Sequence, residues 1–136
     1  LLDDNSAWYY LPNTAATNNT PKSIAGITAT NSTLKTQVSN DMIWTLKEFN
    51  NGFKIYSVAD SSFTLCFSSA SNNNCRINTT NKDFWTFEND ETKGLVMKSN
   101  VGSRYLCVFN KQDWRGYTSP TATNNKGKLY LFKKTK

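Results

Sequence analysis

An all-β domain is the fold class this sequence predicts, and three observations carry that prediction. Val, Ile, Tyr, Phe, Trp and Thr come in short runs, the composition of half-buried strands. Between the runs lie clusters of Asn, Thr and Ser, which favour turns and caps and sit poorly inside helices. Finally, residues 43–125 read as one unit written twice.

The repeat is visible residue by residue. Ile43-Trp44-Thr45-Leu46 is answered by Phe84-Trp85-Thr86-Phe87, and Phe53-Lys54-Ile55-Tyr56-Ser57 by Leu95-Val96-Met97-Lys98-Ser99. Thr64-Leu65-Cys66-Phe67 is answered by Tyr105-Leu106-Cys107-Val108, and the run opening at Cys75-Arg76 by the one opening at Trp114-Arg115. Trp44 and Trp85 are 41 residues apart, as are Cys66 and Cys107, while Arg76 and Arg115 are 39 apart. A fixed period near forty residues is the signature of a repeated supersecondary unit.

Taken in order, Leu1 to Ala7 reads as a linker or frayed start. Trp8 to Leu11 is a short strand ended by Pro12-Asn13, since proline cannot continue a ladder. Residues 22–29 and 33–38 are two weaker strands on either side of Thr30-Asn31-Ser32. The first copy supplies strands at 43–48, 53–58, 63–68 and 75–80. Asn50-Asn51-Gly52 is its first hairpin turn, because Asn-Gly supplies the positive φ that such turns require. The second copy supplies 84–88, 94–99, 104–109 and 114–118. Residues 128–133 close the chain with a pattern like the two opening strands. The opening tryptophans Trp44 and Trp85, and the central Leu65 and Leu106, are assigned to the core. Trp8 and Tyr130 take that part in the remaining unit.

A chain of 136 residues fits one domain able to bury a real core. Aromatics make up 13% and charged residues 19%, a balance that argues against disorder. No run approaches the length of a membrane helix. No leader is visible at Leu1, which implies a processed chain or a piece of a longer one. The sequons at Asn18, Asn31 and Asn78 carry little weight in a chain this rich in Asn and Thr.

Twelve short strands in three four-strand units resemble a β-trefoil, the superfold of the ricin-B-like lectins. That resemblance implies a single domain, 1–136, with units near 1–42 plus 128–134, 43–83 and 84–125. It further implies a barrel with hairpin caps, its closing strand Leu129 to Phe132 pairing near Trp8 to Leu11. A β-sandwich is the competing architecture. A second, looser resemblance covers residues 84–134, through Arg104-Tyr105-Leu106, Trp114 to Ser119 and Leu129 to Lys133. This stretch is similar to accessory β-domains of secreted Bacteroidetes proteins, and it implies a secreted or cell-surface location without naming an activity.

The chain has no histidine, which removes the usual general base and the Ser-His and Cys-His nucleophile pairs. Asp3-Asp4 and Asp90-Glu91 sit on polar turns, so the chain reads as not an enzyme and as needing no cofactor. Three cysteines without ligand spacing give no metal site. Cys66 and Cys75 flank one hairpin and stand as a tentative disulfide, with three thiols as the alternative; Cys107 reads as a buried thiol.

The cluster with most chemistry runs from Asn110 to Tyr117. Sugar sites combine an aromatic face for the C–H face of a pyranose with carboxylate and amide groups for its hydroxyls. Trp114 and Tyr117 are the candidate platforms, with Asp113, Asn110 and Gln112 as hydroxyl partners; Arg76 and Asn78 form a weaker second pocket. Gln112-Asp113-Trp114 also matches the Gln-x-Trp tripeptide of the ricin-B-type lectins, a family in which that tryptophan is mainly a core residue. The alternative reading keeps Trp114 in the core, with the polar residues making a turn.

Charge suggests another partner. Residues 1–68 carry four lysines against five acids, while residues 69–136 carry twelve cations against five acids. Lys126, Lys128, Lys133 and Lys134 are the candidate anion-binding residues. The expected function is therefore a lectin-like module for a glycan or cell-surface glycoconjugate. The alternatives are a polyanionic glycan or acidic protein held by the terminal lysines, and a surface, filament or inhibitor module using residues 12–21 or 119–127. Nucleic acid is disfavoured, because the charge sits at one end without a recognised motif.

Overall fold

A computed structural model describes residues 1–4, 7–15, 19–30, 32–79, 82–120 and 128–134. Twelve strands and one 3-10 turn, Asn40–Met42, are found among them. The strands are β1 (Leu2–Asp3), β2 (Trp8–Tyr10), β3 (Ile24–Ile27), β4 (Trp44–Phe49), β5 (Gly52–Ser57) and β6 (Thr64–Phe67). They continue as β7 (Cys75–Asn78), β8 (Trp85–Asp90), β9 (Gly94–Ser99), β10 (Tyr105–Phe109), β11 (Asp113–Tyr117) and β12 (Lys128–Leu129). The all-β class holds.

The β-trefoil does not. The strands fall into two sheets, a small one in the order β12-β1-β2-β3 and a large one of eight. Seven of the eight follow the path β11-β10-β9-β8-β5-β6-β7 as a nearly closed antiparallel barrel, and β4 adds to β5. The architecture is thus closer to a barrel or sandwich. Both copies of the sequence repeat lie in the large sheet, but the first third adds no third four-strand unit to it. Its strands are only two to four residues long and pair among themselves and with β12.

Several local expectations change with this. Leu1 to Ala7 is not simply a linker, because β1 pairs β12 through Leu2↔Leu129 and β2 through Leu2↔Tyr9. The closing strand therefore meets β1 rather than Trp8. Residues 33–38 form no strand and contribute one isolated bridge, Ala29↔Leu34. At the first hairpin the turn residues are Asn50-Asn51, and Asn50 supplies the positive φ of 52°. Gly52 is needed for a different reason: a Cβ there would meet the Trp85 carbonyl oxygen at 2.1 Å.

The barrel closes through the loop before β7. Gly116 N–H donates to Asn73 O (3.0 Å), and Asn74 bridges Arg115. Arg104 staples the same junction, donating from Nη1 to Asn73 Oδ1 (2.8 Å) and Gly116 O (3.1 Å), and from Nε to Ala70 O (3.0 Å). Leu65, Phe67, Trp85, Leu106, Val108 and Trp114 form the centre of the core. Trp44 is half-buried against it. Each of the three indoles donates its N–H to a carbonyl, Trp44 to Leu11, Trp85 to Leu65 and Trp114 to Tyr10, each at 3.2 Å. Burying an indole requires such a partner. Trp8 and Tyr130 pack on each other, ring centres 5.2 Å apart.

Candidate functional site

The hairpin β10–β11 carries the residues singled out from the sequence. Its turn is made by Asn110 (φ 44°) and Lys111 (φ 63°), with Gln112 N–H donating to Phe109 O at 2.8 Å. Asn110 and Gln112 are exposed on it. A second chain segment anchors the hairpin, since Ser23 N–H donates to Gln112 O (3.1 Å) and Trp114 N–H to Pro21 O (2.8 Å).

Side chains along a strand alternate between faces, and this alternation divides the candidate cluster. Trp114 and Gly116 face the core, where Trp114 is 1% exposed. Its ring is not presented to a ligand, so the stacking role assigned to it gives way to the core reading. Asp113, Arg115 and Tyr117 share the other face. The register sets them opposite Phe109, Cys107 and Tyr105.

That face is electrostatically ordered. Arg115 binds the Asp113 carboxylate with both ends of its fork, Nε to Oδ1 at 2.6 Å and Nη2 to Oδ2 at 3.2 Å. The bond to Asp113 raises the guanidinium pKa further. The guanidinium also lies 4.1 Å from the Phe109 ring centre, and the Lys98 ammonium 5.5 Å from that of Tyr105. Burial raises the Tyr117 pKa, so its hydroxyl stays a neutral donor. Tyr105 and Lys98 are not among the site candidates of the sequence, and Arg115, which lies within the Asn110 to Tyr117 cluster, has no role assigned there. The signal that finds them is the two-residue period, read together with the cross-strand register.

The other candidates fall elsewhere. Arg76 Nη1 donates to Thr20 Oγ1 (3.2 Å) and Cys75 O (2.8 Å), and Asn78 Oδ1 accepts from Thr79 N–H (2.6 Å). Lys128, Lys133 and Lys134 are exposed, while Lys126 and most of 119–127 lie outside the described residues. The sequons at Asn18 and Asn31 also fall there. The tentative Cys66–Cys75 disulfide is not formed, and all three cysteines are buried thiols. Cys66 pairs with Arg76, and Cys75 with Phe67, so the two side chains leave the hairpin on opposite faces. Burial pushes the Cys75 thiol pKa well up and that of Cys107 to about 12, which keeps both protonated and unreactive near neutrality.

The adjacent acids do turn work: Asp90 Oδ1 accepts the N–H groups of Thr92 and Lys93, both at 2.8 Å. Among the described residues no group of three or more His, Cys, Asp or Glu is placed to hold a metal. No helix of the described residues is long and apolar enough to cross a membrane. A cleft lined by Leu2, Lys93, Val96, Leu106 and Leu129 offers only about 10 Å³, room for about one water.

A scan against protein-family models finds none that matches, and a search of curated proteins also returns no match. The two-sheet topology overturns the lectin-trefoil resemblance, and neither comparison supports that of residues 84–134 to accessory β-domains.

Proposed function

We propose that this chain is a non-catalytic, extracellular carbohydrate-binding module, with its site on the β10–β11 face. Tyr117 offers a ring face and a hydroxyl, Tyr105 a hydroxyl, and the part-exposed Arg115 guanidinium, oriented by the buried Asp113 carboxylate, supplies donors for sugar hydroxyls. The observation that carries this reading is the two-pronged Asp113–Arg115 pair beside Tyr117. The buried carboxylate holds the part-exposed guanidinium in one orientation next to an aromatic side chain, by strand geometry rather than by a loose loop. Asn110 and Gln112 extend the same polar surface at the turn. The absence of histidine from the chain makes acid–base or nucleophilic chemistry harder to assemble.

The test is a glycan-array screen of the purified chain at low and high salt, repeated with Tyr117→Ala. Binding that Tyr117→Ala weakens by about tenfold or more supports the site, the size expected for losing one stacking ring. Binding that Tyr117→Ala leaves intact sinks it. Trp114→Ala is a poor probe, because removing a buried indole costs about 3–5 kcal/mol of stability.

A further inference from the structure

The register of the large sheet joins side chains that lie far apart in sequence into a single row. Tyr117 is opposite Tyr105, Tyr105 opposite Lys98, and Lys98 opposite Thr86. The antiparallel pairing Phe53↔Trp85 places Thr86 beside Gly52, and Gly52 is opposite Phe49. Directly opposed residues share a face, so Phe49, Gly52, Thr86, Lys98, Tyr105 and Tyr117 form one row across β4, β5, β8, β9, β10 and β11. At strand spacing its length, measured along the curved barrel wall, is about 24 Å.

All but Gly52 are at least partly exposed, and Phe49 is 42% exposed. Cations accompany the row along its length. Lys54 lies 4.1 Å from the Phe49 ring centre, Lys98 sits over Tyr105, and Arg115 flanks Tyr117. Lys47 stands directly opposite Lys54 and rests over Tyr56 at 4.8 Å. The two ammonium groups turn apart, Lys54 toward Phe49 in the row and Lys47 toward Tyr56 beside it.

We infer that this row is one strip for a linear acidic polysaccharide that wraps across the strands around the barrel wall, its carboxylate or sulfate groups on the lysines and its hydroxyls on Thr86 and the tyrosines. The inference rests on the carbohydrate reading of the β10–β11 face and extends that site to a chain of several sugars. Single-stranded nucleic acid fits less well. A base stacks on an open ring face, and the Phe49 and Tyr105 faces already carry an ammonium, whereas an acidic sugar uses that ammonium directly.

The experiment is titration calorimetry of the purified chain with uronate and sulfated oligosaccharides of two, four and eight sugars. It is repeated with Phe49→Ala, Lys54→Gln and Tyr117→Ala, and with single-stranded DNA as competitor. The strip requires affinity to rise with length. It also requires Phe49→Ala or Lys54→Gln to weaken the octasaccharide by about fivefold to tenfold while leaving the disaccharide unchanged. Tyr117→Ala weakens both lengths. Equal affinity for all lengths, with no effect at Phe49 or Lys54, overturns the strip and leaves the local site standing. Failure to bind any oligosaccharide overturns both. DNA that binds more tightly than the octasaccharide, and loses affinity in the same variants, overturns the polysaccharide assignment in favour of nucleic acid.

Discussion

Asp83 shows how burial and hydrogen bonding compete at one side chain. It is 3% exposed, and its Oδ2 accepts from Phe67 N–H (3.1 Å) and Ser99 Oγ–H (2.6 Å), tying β6 to β9. Those bonds favour the carboxylate, but desolvation is the larger effect and raises its pKa above the ordinary 3.8. Because the folded-state value is the higher one, stability from this group is complete below the unfolded pKa. It is lost as pH rises through the folded pKa. Urea unfolding of the wild type and Asp83→Asn, from about pH 3 to pH 7, should show the wild type losing stability relative to the variant as pH rises. A constant difference across that range contradicts the desolvation account. Nothing in the local sequence distinguishes Asp83 from the turn acids, since its burial comes from strands contributed by both copies of the repeat.

At the scale of elements, the strand pattern was legible where runs of apolar residues recur at the repeat period. Eight of the expected strands, from Trp44 to Tyr117, appear within one or two residues of their expected bounds. What the pattern does not carry is the distance between strands that are remote in sequence. Gly52 makes this concrete: the sequence marks it as a turn glycine, yet its role is the close approach of β5 to β8. Gly94 is the contrasting case, with φ 75° and open space where a Cβ would stand. Gly94→Ala should cost only the left-handed penalty, about 1 kcal/mol. Gly52→Ala has no flexible neighbour to displace and must move backbone, so it should cost about 3 kcal/mol or more. Equal effects of the two substitutions in chemical denaturation would show that the β5–β8 approach is not tight.

At the scale of the whole molecule, the twofold repeat was readable and the third unit was not there to be read. The weak match of residues 1–42 to the repeat was itself the signal that they form a separate small sheet. The candidate site was half legible: composition located the hairpin, but only the pleat separates Trp114 from Asp113, Arg115 and Tyr117. Closure of the barrel was hidden, because it depends on Arg104 meeting the loop of residues 70–73 from the other copy. Arg104 is 8% exposed and gives three hydrogen bonds to neutral acceptors at that seam. Bonds from a charged donor contribute about 1.5–3 kcal/mol each when one partner is lost, though not additively. Arg104→Met keeps the apolar stem while removing all three, and should lower stability by about 2–4 kcal/mol. For a chain of this size that is a fall in Tm of about 10 °C. The loss should also be local before it is global. Hydrogen exchange at Gly116, whose N–H bonds to Asn73 across the seam, should quicken in the variant more than exchange in the β8–β9 hairpin. Uniform quickening would place Arg104 in general core stability, and unchanged exchange at Gly116 would show the barrel closing without it.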